Sequence, residues 1–151
     1  MVRTLTILSA FFAVGLLILG TTLPSSADAQ MAAKQRNGLM KLNGKNMGVI
    51  KKAKDTQTIV AAAKVINANA KKLASADLWP KGSHGGKSRA KMEIWQDMGG
   101  FKAKLKAFDD ASANLIKVAM GGNLGASKKA FGAMAKTCGG CHKAFRGPKP
   151  K

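Results

Sequence analysis

Beyond residue 30 the chain alternates apolar and polar positions with a helical period, and four segments carry the pattern. Between about Met31 and Lys54, the residues Leu39, Leu42, Met47 and Ile50 fall near one face of a predicted helix. From about Thr56 to Ala74, Ile59, Ala63, Ile66, Ala70 and Leu73 recur at steps of three and four. The clearest run is Ile94, Met98, Phe101, Leu105, Phe108, Ser112, Leu115 and Ala119. A last segment, about Ala126 to Arg146, sets Phe131, Met134, Cys138, Cys141 and Phe145 along one side. Ala, Lys, Leu and Met are abundant and β-branched runs scarce, so no strand is predicted.

The links between these segments fix their arrangement. Pro80, Gly82, Gly85 and Gly86 in "LWPKGSHGGKSRAK" make one substantial loop, and "GGNLG" supplies a tight turn before the last helix. Two short links and one longer one predict an all-α fold, an antiparallel up-down-up-down four-helix bundle. The first 29 residues stand apart from it. A positive start at Arg3, the apolar run "LTILSAFFAVGLLILG" and the small-residue pattern Ala27-Asp28-Ala29 predict a secretory signal cut after Ala29. An uncleaved anchor is the other reading, disfavoured because the run is short for a membrane span. The working domain is then 30–151, outside the cytoplasm and in the periplasm.

Charge narrows the partners. The chain carries a net +19, and the expected cleavage removes one charge of each sign, which leaves that excess unchanged. Such a surface calls for an acidic redox partner protein or an anionic membrane face. Nucleic acid is disfavoured, because Lys far outnumbers Arg, Tyr is absent and the lysines are spread along the chain. No enzyme is expected either. The mature part holds one glutamate, Glu93, and five aspartates, and the adjacent Asp109 and Asp110 point different ways on a helix.

The chemistry is concentrated in "KTCGGCHKAFRG", residues 136–147. On a helix, Cys138 and Cys141 are three apart and His142 is four from Cys138, so all three share one face. Two sulfurs about one 5.4 Å turn apart can reach the two vinyl groups of one haem, and the neighbouring imidazole can turn onto the iron. A thioredoxin-type pair would need a βαβ setting, and zinc would need two more ligands. A disulfide closing so short a loop would stabilise little. C-x-x-C-H is the attachment signature of covalent haem c, with one iron.

That motif in the last helix of an exported helical domain resembles the class II cytochromes c, the cytochrome c-prime and cytochrome c-556 group. "QRNGLMKLNGKNMGVIK", "LWPKGS", "EIWQDMGGF" and "AFGAMAKTCGGCHKAFR" carry the likeness over nearly all of the mature chain. It implies a four-helix bundle around the haem, His142 as proximal ligand, and often a homodimer. It places Met40 of "RNGLM" on the other face of the iron. In the low-spin branch a methionine there is the sixth ligand, and the protein is a single-electron carrier. In the c-prime branch the iron stays five-coordinate and binds nitric oxide or carbon monoxide. The expectation from the wider "LMKLNGKNM" similarity is ligation by Met40, with the gas-binding protein as the alternative. The resemblance further implies Arg36 beside a haem propionate and a basic residue, Arg146, beside the proximal face. Without it, both read as surface cations. His84, in "GSHGGK", is expected to be solvent-exposed. The chain departs from the family in its lysine excess and in Met92, where a helix-starting proline is usual.

Overall fold

The computed structural model describes residues 25–149 except Gly86. Most of the expected secretory segment lies outside that range. The first helix, α1, spans Ser26–Lys52 and opens on a capping box. The Ser25 hydroxyl accepts from the Asp28 N–H, while the Asp28 carboxylate accepts from the Ser25 backbone and hydroxyl. This satisfies amides that a helix start leaves unpaired. The expected cut after Ala29 falls inside this first turn.

Helix α2 spans Thr56–Leu73 and is capped by Asp55. A 3-10 turn, Ala76–Leu78, leads into the long loop. The single helix anticipated from Ile94 onward is divided into α3, Glu93–Gln96, and α4, Met98–Met120. Asp97 leaves the helical region there, with φ −124° and ψ 63°, and its carboxylate takes the Gly100 N–H at 2.8 Å. A cap inside an unbroken apolar pattern thus starts a new helix. Gly122, at φ 76°, makes the turn before α5, Leu124–Phe145, which Asn123 caps. Among the described residues the nearest thing to a strand is one isolated bridge between Ala90 and Arg146.

The helices α1, α2, α4 and α5 form the antiparallel bundle, each packed on its neighbour in sequence. The predicted faces of α2 and α4 are buried as expected, with Ile59, Ile66, Leu73 and Leu115 sealed from solvent. At about 1.5–3 kcal/mol for each fully buried aliphatic side chain, these contacts dominate the fold. The face assigned to α1 needs correcting, since Leu42 is 41% exposed. Its inward stripe is Ala32, Arg36, Leu39, Asn43, Met47 and Ile50, again at steps of three and four. Two members are polar, which hides the stripe from a purely apolar pattern. Asn43 is paired in the core, its Oδ1 accepting from Asn69 Nδ2 of α2 at 2.9 Å.

One seam of the ring differs from the rest. Helix α1 packs on α2 and the 3-10 turn, α5 packs mainly on α4, and α1 and α5 barely touch. They are tied near one end, where Lys128 Nζ donates to Ile50 O at 2.7 Å and Lys51 O at 3.0 Å. At the other end the long loop bridges them, bonded to Arg36 of α1 and to the tail after α5.

Candidate functional site

The two thiols and the imidazole lie on α5, one of the two helices that border that seam. Cys138 and Cys141 are unbonded and half-buried, and both pack against the hydrophobic core. Burial pushes both thiols up, and for Cys141 the Cys138 sulfur adds to the effect while Lys104 opposes it. They are held neutral, unlike the low-pKa thiolates of redox catalysis. Between them, a Cβ built on Gly139 or Gly140 would meet no protein atom within 4 Å. The helix surface between the thiols is clear of side chains, as a planar group joined to both would require.

His142 is half-buried, and its pKa lies below the ordinary imidazole value because burial disfavours the charged ring. The charges of Arg146 and Arg89 push the same way. A neutral imidazole keeps the lone pair that a metal ligand needs. The local backbone is fixed by the loop opposite. Lys91 N donates to Phe145 O at 3.1 Å, Lys91 Nζ to Ala144 O at 3.2 Å, and Gly147 N to Arg89 O at 2.8 Å. Arg89 Nε donates to Gly147 O at 2.9 Å. These bonds satisfy the end of α5 and set Arg146, itself exposed, just past His142.

On the α1 side stand Arg36 and Met40, one turn apart. Met40 is 37% exposed and lies outside the core cluster, while the neighbouring Leu39 packs against it. Arg36 corrects the surface reading, being only 3% exposed. Its Nη1 donates to Leu78 O and to Ser83 Oγ, and its Nη2 to Ser83 O and Ser88 Oγ. Its guanidinium carbon sits 4.6 Å from the centre of the Trp79 ring. No carboxylate among the described residues lies within ion-pair distance, and burial alone lowers its pKa to about 10. A cation so placed is suited to an anion brought by a ligand.

Aromatic rings join the two sides. Trp79 meets Phe101 edge-on at 4.5 Å, and Phe101 meets Phe145 at 5.2 Å. Trp95 Nε1 donates to Trp79 O at 3.0 Å, so both tryptophans are packing residues at this end of the bundle. His84 also departs from expectation. It is half-buried against Trp95, at 5.6 Å between ring centres.

The sequence reading missed Ser83, Ser88 and Arg89. Each acts through main-chain carbonyls or a buried guanidinium, for which no side-chain period exists. Other constellations are weak. No group of three His, Cys, Asp or Glu side chains among the described residues could hold a metal by itself. Two shallow clefts, of about 450 and 230 Å³, are lined by groups including Val60, Lys64 and Met120, and Trp79, Met98 and Lys102. Neither contains a cysteine or His142.

Comparison with known proteins agrees with this geometry. The family described as Cytochrome C' matches residues 31–146. A cytochrome c' of Alcaligenes xylosoxydans xylosoxydans is 32% identical over 127 residues, covering 82% of this chain and 98% of that protein. A cytochrome c' described as having an unusual ligand-controlled dimer dissociation superposes with a TM-score of 0.73 at 29% identity, covering 80% of this chain and 97% of that one. The nitric oxide complex of a point mutant of cytochrome c prime from Alcaligenes xylosoxidans gives 0.70 at 29% identity, covering 82% and 100%. The match takes in all four bundle helices and the seam between α1 and α5. The chain therefore belongs to the cytochrome c' family, and its cofactor is one covalently carried haem c with its iron.

Proposed function

We propose that this protein is an exported, five-coordinate haem c protein that takes nitric oxide or carbon monoxide at the face of the iron opposite His142. The observation that carries it is the half-buried Cys138, Cys141 and His142 face of α5, a helix that barely touches α1, where Leu39 and Met40 lie. The relatives matched are cytochromes c', one of them solved as a nitric oxide complex, and this favours the gas-binding reading over a Met40-ligated electron carrier. When bound, haem c supplies a redox-active iron able to hold a diatomic ligand.

The chain's own residues do the rest. Cys138 and Cys141 fix the group to one helix face, and His142, kept neutral by burial, offers its ring nitrogen. Arg146 stands beside the proximal face. Met40 and Leu39 line the far side with apolar surface that excludes water and selects small uncharged ligands. Arg36 receives a haem carboxylate.

The surface fits an acidic redox partner or an anionic membrane face. All seven acids are occupied locally. Asp28, Asp55 and Asp97 cap helices, Asp77 accepts from Ser75 and Asp109 from Asn67, and Glu93 and Asp110 pair with Lys91 and Lys106. Nearly every other lysine faces water without a counter-charge, and the field is of one sign. A homodimer is also part of the reading, through the outer stripe of α1 where Met31, Leu42 and Val49 are exposed. Export through the first 29 residues places it in the periplasm. No helix of the described residues is long and apolar enough to cross a membrane.

Stopped-flow mixing of the ferrous protein with carbon monoxide tests the reading. An open iron gives a rate that rises linearly with gas concentration. A rate that reaches a plateau marks an internal ligand that must leave first, and returns the function to electron transfer.

A further inference from the structure

The imidazole of His84 holds a nitrogen, Nδ1, that is sealed from solvent and has no hydrogen-bond partner among the described residues. It is the one buried side-chain polar atom there in that condition. Native proteins rarely leave such an atom unpaired, because desolvation is then uncompensated. The ring is not loosely placed. It packs on Trp95, whose indole N–H is bonded to Trp79 O, and Trp79 lies under the Arg36 guanidinium. The backbone is fixed too, since Ser83 N donates to Pro80 O at 3.2 Å and the Ser83 hydroxyl takes Arg36 Nη1 at 2.9 Å.

Arg36 and His84 share one peptide. Arg36 Nη2 donates to Ser83 O, the carbonyl bonded to the His84 backbone nitrogen, so the cation is anchored at the residue that precedes His84. Arg36 is buried without a carboxylate, and its Nε has no partner among the described residues. A buried cation lacking an anion and a buried nitrogen lacking a partner, both held by one loop, have one common answer in a carboxylate. Every Asp and Glu side chain among the described residues is engaged elsewhere, and haem c brings two carboxylates.

We propose that His84 is a positioning residue for the haem, its Nδ1–H donating to the same carboxylate that Arg36 receives. The inference rests on the haem c reading above. The neutral Nδ1–H tautomer supplies the donor, and the Trp95 contact sets the ring's plane. A donor on that carboxylate withdraws negative charge from near the iron and favours the ferrous state.

The test uses the mature holoprotein with H84L and H84N, the second keeping an N–H near the Nδ1 position. Covalent haem is first quantified in all three by the pyridine haemochrome spectrum. With equal attachment, H84L has a lower midpoint potential than the wild type and H84N returns towards it. Nitrogen-15 spectra of the wild-type ferrous carbonyl form show the His84 ring protonated at Nδ1, with that proton slow to exchange. An unchanged potential in H84L, equal shifts in both variants, or an Nε2–H tautomer overturns the assignment of His84 while leaving the cytochrome reading intact. Absence of covalent haem from the wild type removes that reading and this inference together.

Discussion

The Arg36 guanidinium lies 4.6 Å from the centre of the Trp79 ring and is bonded to Leu78 O and Ser83 O, so a buried cation on α1 organises the loop that closes one end of the bundle. Bonds from a charged donor contribute about 1.5–3 kcal/mol each, and acceptors stranded by its loss add to the deficit. Arg36→Ala is therefore expected to destabilise by roughly 2–4 kcal/mol. Urea unfolding at neutral pH reads this as a lower midpoint with an unchanged slope. Arg36→Lys recovers only part, because a lysine cannot reproduce the planar fork.

The corrected face of α1 makes a paired prediction. Leu73, fully buried on α2, loses about 2–5 kcal/mol on truncation to Ala. Leu42, exposed on α1, changes stability by less than about 0.5 kcal/mol under the same substitution. If Leu42→Ala unfolded the monomer as readily as Leu73→Ala, the assignment of the inward stripe would be wrong.

Asp97 separates α3 from α4 by accepting the Gly100 N–H. Asp97→Ala is expected to cost about 1 kcal/mol, and Asp97→Asn or Asp97→Ser much less. Thermal melts of the three variants against the wild type give the ranking.

Asp55 sets a pH dependence. The Thr58 backbone N–H and hydroxyl hold its carboxyl below the ordinary value of 3.8. A group depressed in the folded state binds fewer protons there than in the unfolded chain. Its stabilising contribution is thus present above about pH 4 and is lost as pH falls through the lower, folded value. The Asp55→Asn variant should show a shallower loss of stability below pH 4 than the wild type. Equal acid limbs in urea titrations would contradict the cap.

The one-signed surface predicts a steep salt effect. Capture of the holoprotein by anionic vesicles or by an acidic redox protein should slow about tenfold or more between roughly 50 and 200 mM salt. Neutral vesicles should show no such slope.

Much of this molecule was legible from spacing. The stripes on α2 and α4 are apolar but for Ser112, and each predicted position proved to face the core. The thiols and His142 were set by a local motif whose geometry is that of one helix turn. What spacing missed was polar. Arg36 and Asn43 interrupt the α1 stripe, because one bonds loop carbonyls and the other bonds Asn69. Asp97 breaks a helix within an apolar period, as a side-chain cap that no periodicity reveals. His84 sits between glycines in a sequence that resembles exposed loop, yet the packing of Trp95 buries it. Residues acting through backbone carbonyls leave no trace in hydropathy.

The spin state of the ferrous protein without added ligand tests the central claim most directly. Met40 lies on α1 outside the core cluster, and the account leaves it off the iron. Resonance Raman spectra of wild type and Met40→Leu at neutral pH should both report five-coordinate, high-spin iron. A six-coordinate, low-spin wild type that becomes high-spin in Met40→Leu would show that Met40 is the sixth ligand and contradict the gas-binding account.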